Sequence, residues 1–136
     1  MNAVDTNILI YAEDPRDPDK QRIARDVISK INDGALLWQV ACEFLAASRK
    51  LASLGFDLDR AFQELHRFRS IWTLRFPTAG VMDRAEDLIN RFSLSTWDAI
   101  LISAGVEAGV NRLYSEDFSA YANIDGMDII NPFATP

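Results

Sequence analysis

The sequence holds one cysteine, Cys42, and one histidine, His66. A single cysteine excludes an internal disulfide framework, and the pair together cannot build a Cys/His zinc site. A Ser-His-Asp hydrolase would have to run through His66. That residue sits between Leu65 and Arg67 in an amphipathic helical stretch, where an exposed or half-buried place is expected rather than a triad role. No apolar run approaches the length of a membrane span, and Ala3-Val4-Asp5 follows the N-terminus without a basic leader or an apolar signal core. These absences set the expectation of a cytoplasmic protein with no membrane contact. Lysine is missing after Lys50, which disfavours a receiver domain, because that fold needs a late lysine. A phosphoaspartate phosphatase would need a second aspartate two residues after Asp5, where Asn7 stands.

What is present is 136 residues of ordinary globular composition, 49% hydrophobic and 25% charged. That suits one domain over residues 1–136. Twenty acidic residues against fourteen basic ones leave a net charge of −6, at first sight hostile to nucleic acid, which normally meets a basic face. Either the acids are spread for solubility or they gather where a cation is held.

Position decides between these readings. Residues 4–12 are apolar apart from Asp5-Thr6-Asn7 and read as a first strand running into a short helix or turn. After a polar break, Ile23, Ala24, Val27, Ile28 and Ile31 recur at helical spacing, with Gly34 where a C-terminal cap would sit. Residues 35–38 suit a buried strand. Val40, Phe44, Ala47 and Leu51 mark one face of a helix stopping at Gly55, and Asp57 can cap the next helix. Residues 71–76 are strand-like, Thr78 opens another helix, and Ser95 or Thr96 can cap a helix over 97–108 that is apolar nearly all round. Residues 112–115 and 128–130 read as the last strands. Strands alternating with helices predict a three-layer α/β/α domain with a mainly parallel central sheet.

In such a sheet ligands bind outside the carboxyl ends of the strands. Asp5 interrupts the first strand signal, and Asp117 follows the strand over 112–115. Asp98 lies in the first turn of the apolar helix, and Glu43 lies on the apolar stripe of its own helix. Each alone has an ordinary explanation: a turn for Asp117, a helix dipole for Asp98, a boundary position for Glu43, an ion pair for Asp5. One site explains all four, because Mg²⁺ and Mn²⁺ prefer oxygen ligands and a bound cation relieves crowded carboxylates. Such a site can act on a polyanion.

At this point the sequence resembles the PIN domain family. Val4-Asp5-Thr6-Asn7-Ile8-Leu9 is similar to its N-terminal signature, and Gln39-Val40-Ala41-Cys42-Glu43-Phe44 to its second acidic segment. Leu94-Ser95-Thr96-Trp97-Asp98-Ala99 matches the third, Leu113-Tyr114-Ser115-Glu116-Asp117 the fourth, and Ile129-Ile130-Asn131-Pro132-Phe133 the ending. Length and the Leu-Tyr-Ser-Glu-Asp form look most like the toxins of VapBC-type toxin–antitoxin pairs. The resemblance implies an endoribonuclease dependent on Mg²⁺ or Mn²⁺, acting on RNA (tRNA among the candidates), homodimeric and held inactive by a small antitoxin. It assigns catalysis to Asp5, Glu43, Asp98 and Asp117, and metal binding to Asp5, Asp98 and Asp117. Thr6, Asn7, Ser115 and Glu116 become supporting residues, with Glu116 competing with Asp117 for the metal. The alternative is a PIN-like module without catalysis, kept for binding or scaffolding. Phe44, Leu45, Leu51 and Leu54 read as core first and antitoxin contacts second. Trp38, Trp72 and Trp97 read as core. The basic residues Arg22, Arg25, Lys30, Arg49, Lys50, Arg60, Arg67, Arg69 and Arg75 are scattered and read mostly as solvated helix faces.

Overall fold

A computed structural model describes residues 1–118 and 120–134. The elements alternate much as the pattern predicts. They are β1 (Asn2–Val4), α1 (Thr6–Glu13), α2 (Pro18–Lys30), β2 (Gly34–Leu37) and α3 (Trp38–Ala47), which runs on as a 3₁₀ segment (Ser48–Leu54). There follow α4 (Leu58–Ile71), β3 (Thr73–Arg75), α5 (Ala79–Arg91), α6 (Thr96–Glu107), β4 (Arg112–Tyr114), β5 (Asn123–Ile124) and β6 (Met127–Ile130). Asp17, Asp57 and Ser95 cap α2, α4 and α6 by accepting hydrogen bonds from the backbone N–H groups of Lys20, Arg60 and Asp98.

The strands lie in the order β3-β2-β1-β4-β6-β5, all parallel except the β5–β6 hairpin. From β1 the chain steps one way to β2 and β3, then returns past β1 to reach β4. Right-handed crossovers therefore send α1–α4 to one face and α5–α6 to the other. The packing agrees: α1 lies on α2 and α3, α3 on α4, and α5 on α6. Every residue of β2 is buried, as a strand covered on both faces requires. Among the described residues no helix is long and apolar enough to cross a membrane.

Three local expectations differ from the structure. Asp5 does not lie within a strand. Its side chain accepts the Thr6 N–H and caps α1, so β1 ends at Val4, while Ile8, Leu9 and Ala12 form a buried helical face. Gly34 does not cap α2, which ends at Lys30 with Ile31 as its C-cap; it opens β2 beneath Trp72. Trp72 is pinned there, stacked on Phe68 with centroids 5.3 Å apart and donating its indole N–H to the Ile31 carbonyl at 3.4 Å. A β-carbon at position 34 would come within 2.2 Å of the Trp72 indole ring. Gly34→Ala is accordingly expected to destabilise the fold by about 1 to 3 kcal/mol through overpacking, measured by urea unfolding. Third, β5 was not anticipated. Asn123 accepts from the Gly126 N–H and Asp125 takes a positive φ of 49°, which makes the tight turn into β6.

Candidate active site

The sheet's direction of travel reverses at β1, which has β2 on one side and β4 on the other. The carboxyl ends of β1 and β4 thus flank the switch-point crevice of the fold. Parallel pairing continues one residue past β1: the Asp5 N–H donates to the Tyr114 carbonyl at 2.8 Å. That bond sets Asp5 beside Ser115. The Asp5 carboxylate accepts the Ser115 hydroxyl at 2.8 Å and the Thr6 N–H at 2.7 Å, and its residue is only 6% exposed. Burial pushes its pKa up to about 6; the bonds from Ser115 and Thr6 oppose the rise, and the charges of Asp117 and Glu43 add to it.

The other acids arrive from three further elements. Glu43 projects from α3, half-buried, accepting the Thr6 hydroxyl at 3.0 Å and the Gln39 side-chain amide at 2.8 Å. The same Gln39 amide approaches the Trp97 carbonyl at 3.5 Å, linking α3 to the first turn of α6, where Asp98 sits half-buried. Asp117 follows β4. Its backbone N–H donates to the Ser115 hydroxyl oxygen at 3.0 Å, and its carboxylate accepts from the Asn7 amide at 3.3 Å. Its pKa is raised by burial first, then by the charges of Glu116 and Asp98, against the lowering effect of Asn7. Asp5 thus feels Asp117 and Glu43, and Asp117 feels Asp98. The four acids share one electrostatic environment.

Glu116 turns the other way. Its carboxylate accepts the Tyr11 hydroxyl at 2.6 Å and the Lys20 ammonium at 2.9 Å, with that ammonium 4.5 Å from the Tyr11 ring centroid. Of the adjacent acids, Asp117 is the one that meets Asn7 and Ser115. Asn7 also reaches the Ser115 hydroxyl at 3.5 Å, and its own amide oxygen is buried without a hydrogen-bond partner.

The donor set consists of oxygens: four carboxylates, two hydroxyls and the unpartnered Asn7 amide oxygen. Among the described residues no group of three or more acidic, histidine or cysteine side chains is arranged so as to hold a metal ion. Oxygen donors of this kind are the chemistry that a hard divalent cation such as Mg²⁺ takes.

Sequence reasoning missed Gln39, Tyr11 and Lys20. Gln39 had a readable signal, one helical turn before Glu43. Tyr11 and Lys20 had none, since their contact with Glu116 is made across about a hundred residues. It also misplaced two tryptophans: Trp72 is core, but Trp38 and Trp97 are 45% and 69% exposed. Phe44 and Leu51 are fully buried and so cannot meet a partner, whereas Leu54 is exposed. His66 is exposed on α4.

The chain belongs to the PIN domain family, whose model matches residues 3–125. No curated protein matches the sequence. Among solved structures, it is similar to a toxin–antitoxin complex from Klebsiella pneumoniae, with a TM-score of 0.72 and 18% identity over 99% of this chain and 100% of that one. It is also similar to the sarcin–ricin-loop-cleaving toxin VapC20 of Mycobacterium tuberculosis, with a TM-score of 0.68 and 18% identity over 94% and 99%. Promoter-bound VapBC2 from Rickettsia felis gives 0.68 and 16% over 96% and 97%. At these identities the likeness establishes the fold.

Proposed function

We propose that the protein is an endoribonuclease dependent on Mg²⁺ or Mn²⁺, the toxin of a VapBC-type pair acting in the cytoplasm. The observation that carries this reading is the gathering of Asp5, Glu43, Asp98 and Asp117 at the switch point, where burial first and neighbouring acidic charges second raise the pKa values of Asp5 and Asp117. Carboxylates crowded at their own expense in the metal-free protein are what a cation site leaves behind. Membership of the PIN domain family and the fold shared with VapC toxins support it.

When bound, the cation supplies positive charge for the scissile phosphate and lowers the pKa of a coordinated water. Asp5, Asp98 and Asp117 hold it, directly or through water. Ser115 and the Thr6 N–H fix the Asp5 carboxylate in one orientation, as partners behind a metal ligand do. Glu43, held by Thr6 and Gln39, either shares in metal binding or orients the attacking water. Water adds in line to phosphorus, and the bond from phosphorus to the 3′ oxygen breaks. The products are a 5′-phosphate and a 3′-hydroxyl, with no part for the RNA 2′-hydroxyl or a histidine.

The partners follow from the same reading: RNA as substrate, a small antitoxin as inhibitor and a second copy in a homodimer. The test is cleavage of total cellular RNA with Mg²⁺ or Mn²⁺. The native protein is expected to cleave and to be silenced by EDTA, while Asp98→Asn, with an unchanged circular dichroism spectrum, is expected to be inactive. Equal cleavage by both proteins would remove Asp98 from the site. A native protein inactive with either metal would favour the non-catalytic binding module.

A further inference from the structure

Five acids stand at or beside the switch point, and the fold treats one of them differently. Among the described residues no lysine or arginine pairs with Asp5, Glu43, Asp98 or Asp117. Glu116, by contrast, holds the Lys20 ammonium at 2.9 Å. The two side chains are 33% and 27% exposed, so their attraction is screened less than that of a surface pair. The Tyr11 hydroxyl donates to the other Glu116 oxygen at 2.6 Å and accepts from Lys20 at 3.2 Å, which closes a ring of three hydrogen bonds. The ammonium also lies 4.5 Å from the Tyr11 ring centroid and 5.3 Å from that of Phe133. The end of α1, the start of α2 and the segment after β6 thus converge on one side chain of the loop after β4.

That loop needs holding. Phe118 takes a φ of 66°, a left-handed conformation that an aromatic residue rarely adopts and that persists only where the surroundings impose it. Asp117 lies between this strained residue and the clamped Glu116. Among the described residues its carboxylate accepts one hydrogen bond, from Asn7 at 3.3 Å. That is longer than a strong N–H to oxygen bond and does not fix the side chain by itself.

We infer that Tyr11 and Lys20 are positioning residues of the acidic site: they hold Glu116 outside it and thereby set Asp117 within it. The inference rests on the reading of that site as one for a cation. The acids divide by how their charge is compensated. Glu116 is matched by the protein's own ammonium. Turning it toward the other acids would give up two charge-assisted hydrogen bonds and bring a fifth like charge to the cluster. The four acids without such a partner are left for an external cation. Two neighbours in sequence are given opposite tasks by side chains about a hundred residues away.

Two measurements on the full chain test this, with Lys20→Met and Tyr11→Phe as variants. The first substitution keeps the reach of the side chain without its charge, and the second keeps the ring without its hydroxyl. Amide hydrogen exchange in EDTA needs no metal and reads the loop itself, where the Ser115 and Asp117 N–H groups are hydrogen-bonded. Over residues 115–118 exchange is expected to quicken at least about tenfold in Lys20→Met and about threefold in Tyr11→Phe, with the β2 amides unchanged. Calorimetric titration with Mn²⁺ reads the site. Lys20→Met is expected to raise the dissociation constant about tenfold. Adding Glu116→Gln to it should weaken binding no more than about twofold further, because both substitutions break one contact. A fold merely loosened by Lys20→Met would quicken exchange everywhere and leave the affinity of the folded chain unmoved. Unchanged exchange over 115–118 overturns the inference. So does a Lys20→Met chain that binds Mn²⁺ as tightly as the native one or more so, or two losses that multiply in the double variant. A native chain that binds no Mn²⁺, with the loop still loosened by Lys20→Met, would remove the cation reading and leave the clamp assigned.

Discussion

Replacing Asp5 with asparagine is expected to lower RNA cleavage about a hundred- to a thousandfold while making the metal-free protein more stable at neutral pH. Both effects have one origin. The Asp5 carboxyl is buried and its pKa stands at about 6, against 3.8 for an unperturbed aspartate. The folded state therefore holds this proton more tightly than the unfolded state does. The stabilisation that follows is fully present below about pH 4 and is lost as pH rises through about 6. By pH 7 the ionised group costs the fold on the order of 3 kcal/mol. Asparagine removes that charge but weakens the bonds to Ser115 and Thr6, each worth about 1 kcal/mol. A net gain of about 1 to 2 kcal/mol is expected at pH 7, and none at pH 4. Urea midpoints in EDTA at the two pH values check this. If Asp5→Asn is the less stable protein at pH 7, the carboxylate is not held at a cost and the argument for a cation-shaped site loses its strongest support.

The second large effect separates two neighbours in sequence. Asp117→Asn is expected to lower cleavage about a hundredfold or more, whereas Glu116→Gln should lower it no more than about tenfold. The difference lies in where the loop after β4 points them. Asp117 is held by Asn7 and feels the charge of Asp98. Glu116 is drawn into the hydroxyl of Tyr11 and the ammonium of Lys20. Its role is to anchor the loop, so its loss should loosen Asp117 without removing a ligand. Initial rates on one RNA at saturating Mn²⁺ measure both variants. A Glu116→Gln protein as impaired as Asp117→Asn would move Glu116 into the site.

The layered parallel fold was legible because its helices carry strong apolar periodicity and their caps at Asp57 and Ser95 are local signals. The four acids were legible as interruptions of apolar segments and as an ordered set of motifs. What escaped has a common physical cause. The Tyr11–Lys20–Glu116 anchor joins α1 and α2 to the loop after β4, and nothing local marks a contact between residues so far apart. Gly34 carried a helix-cap signal, but tertiary packing under Trp72 decided its place. Trp38 ends a short apolar run and Trp97 opens a helix that is apolar nearly all round. Whether an apolar face meets the protein's own core or is left at the surface depends on which helices lie opposite it. For the first turns of α3 and α6, no element among the described residues covers that face.

The claim that joins these results is that the switch-point acids form a site for a hard divalent cation. Calorimetric titration of Mn²⁺ into the native protein and into Asp98→Asn, both freed of metal, tests it most directly. The native chain is expected to bind Mn²⁺, with Mg²⁺ competing, and the variant to bind at least about tenfold more weakly. A native protein that binds no Mn²⁺ at millimolar concentration, or a variant that binds it equally well, would contradict the account.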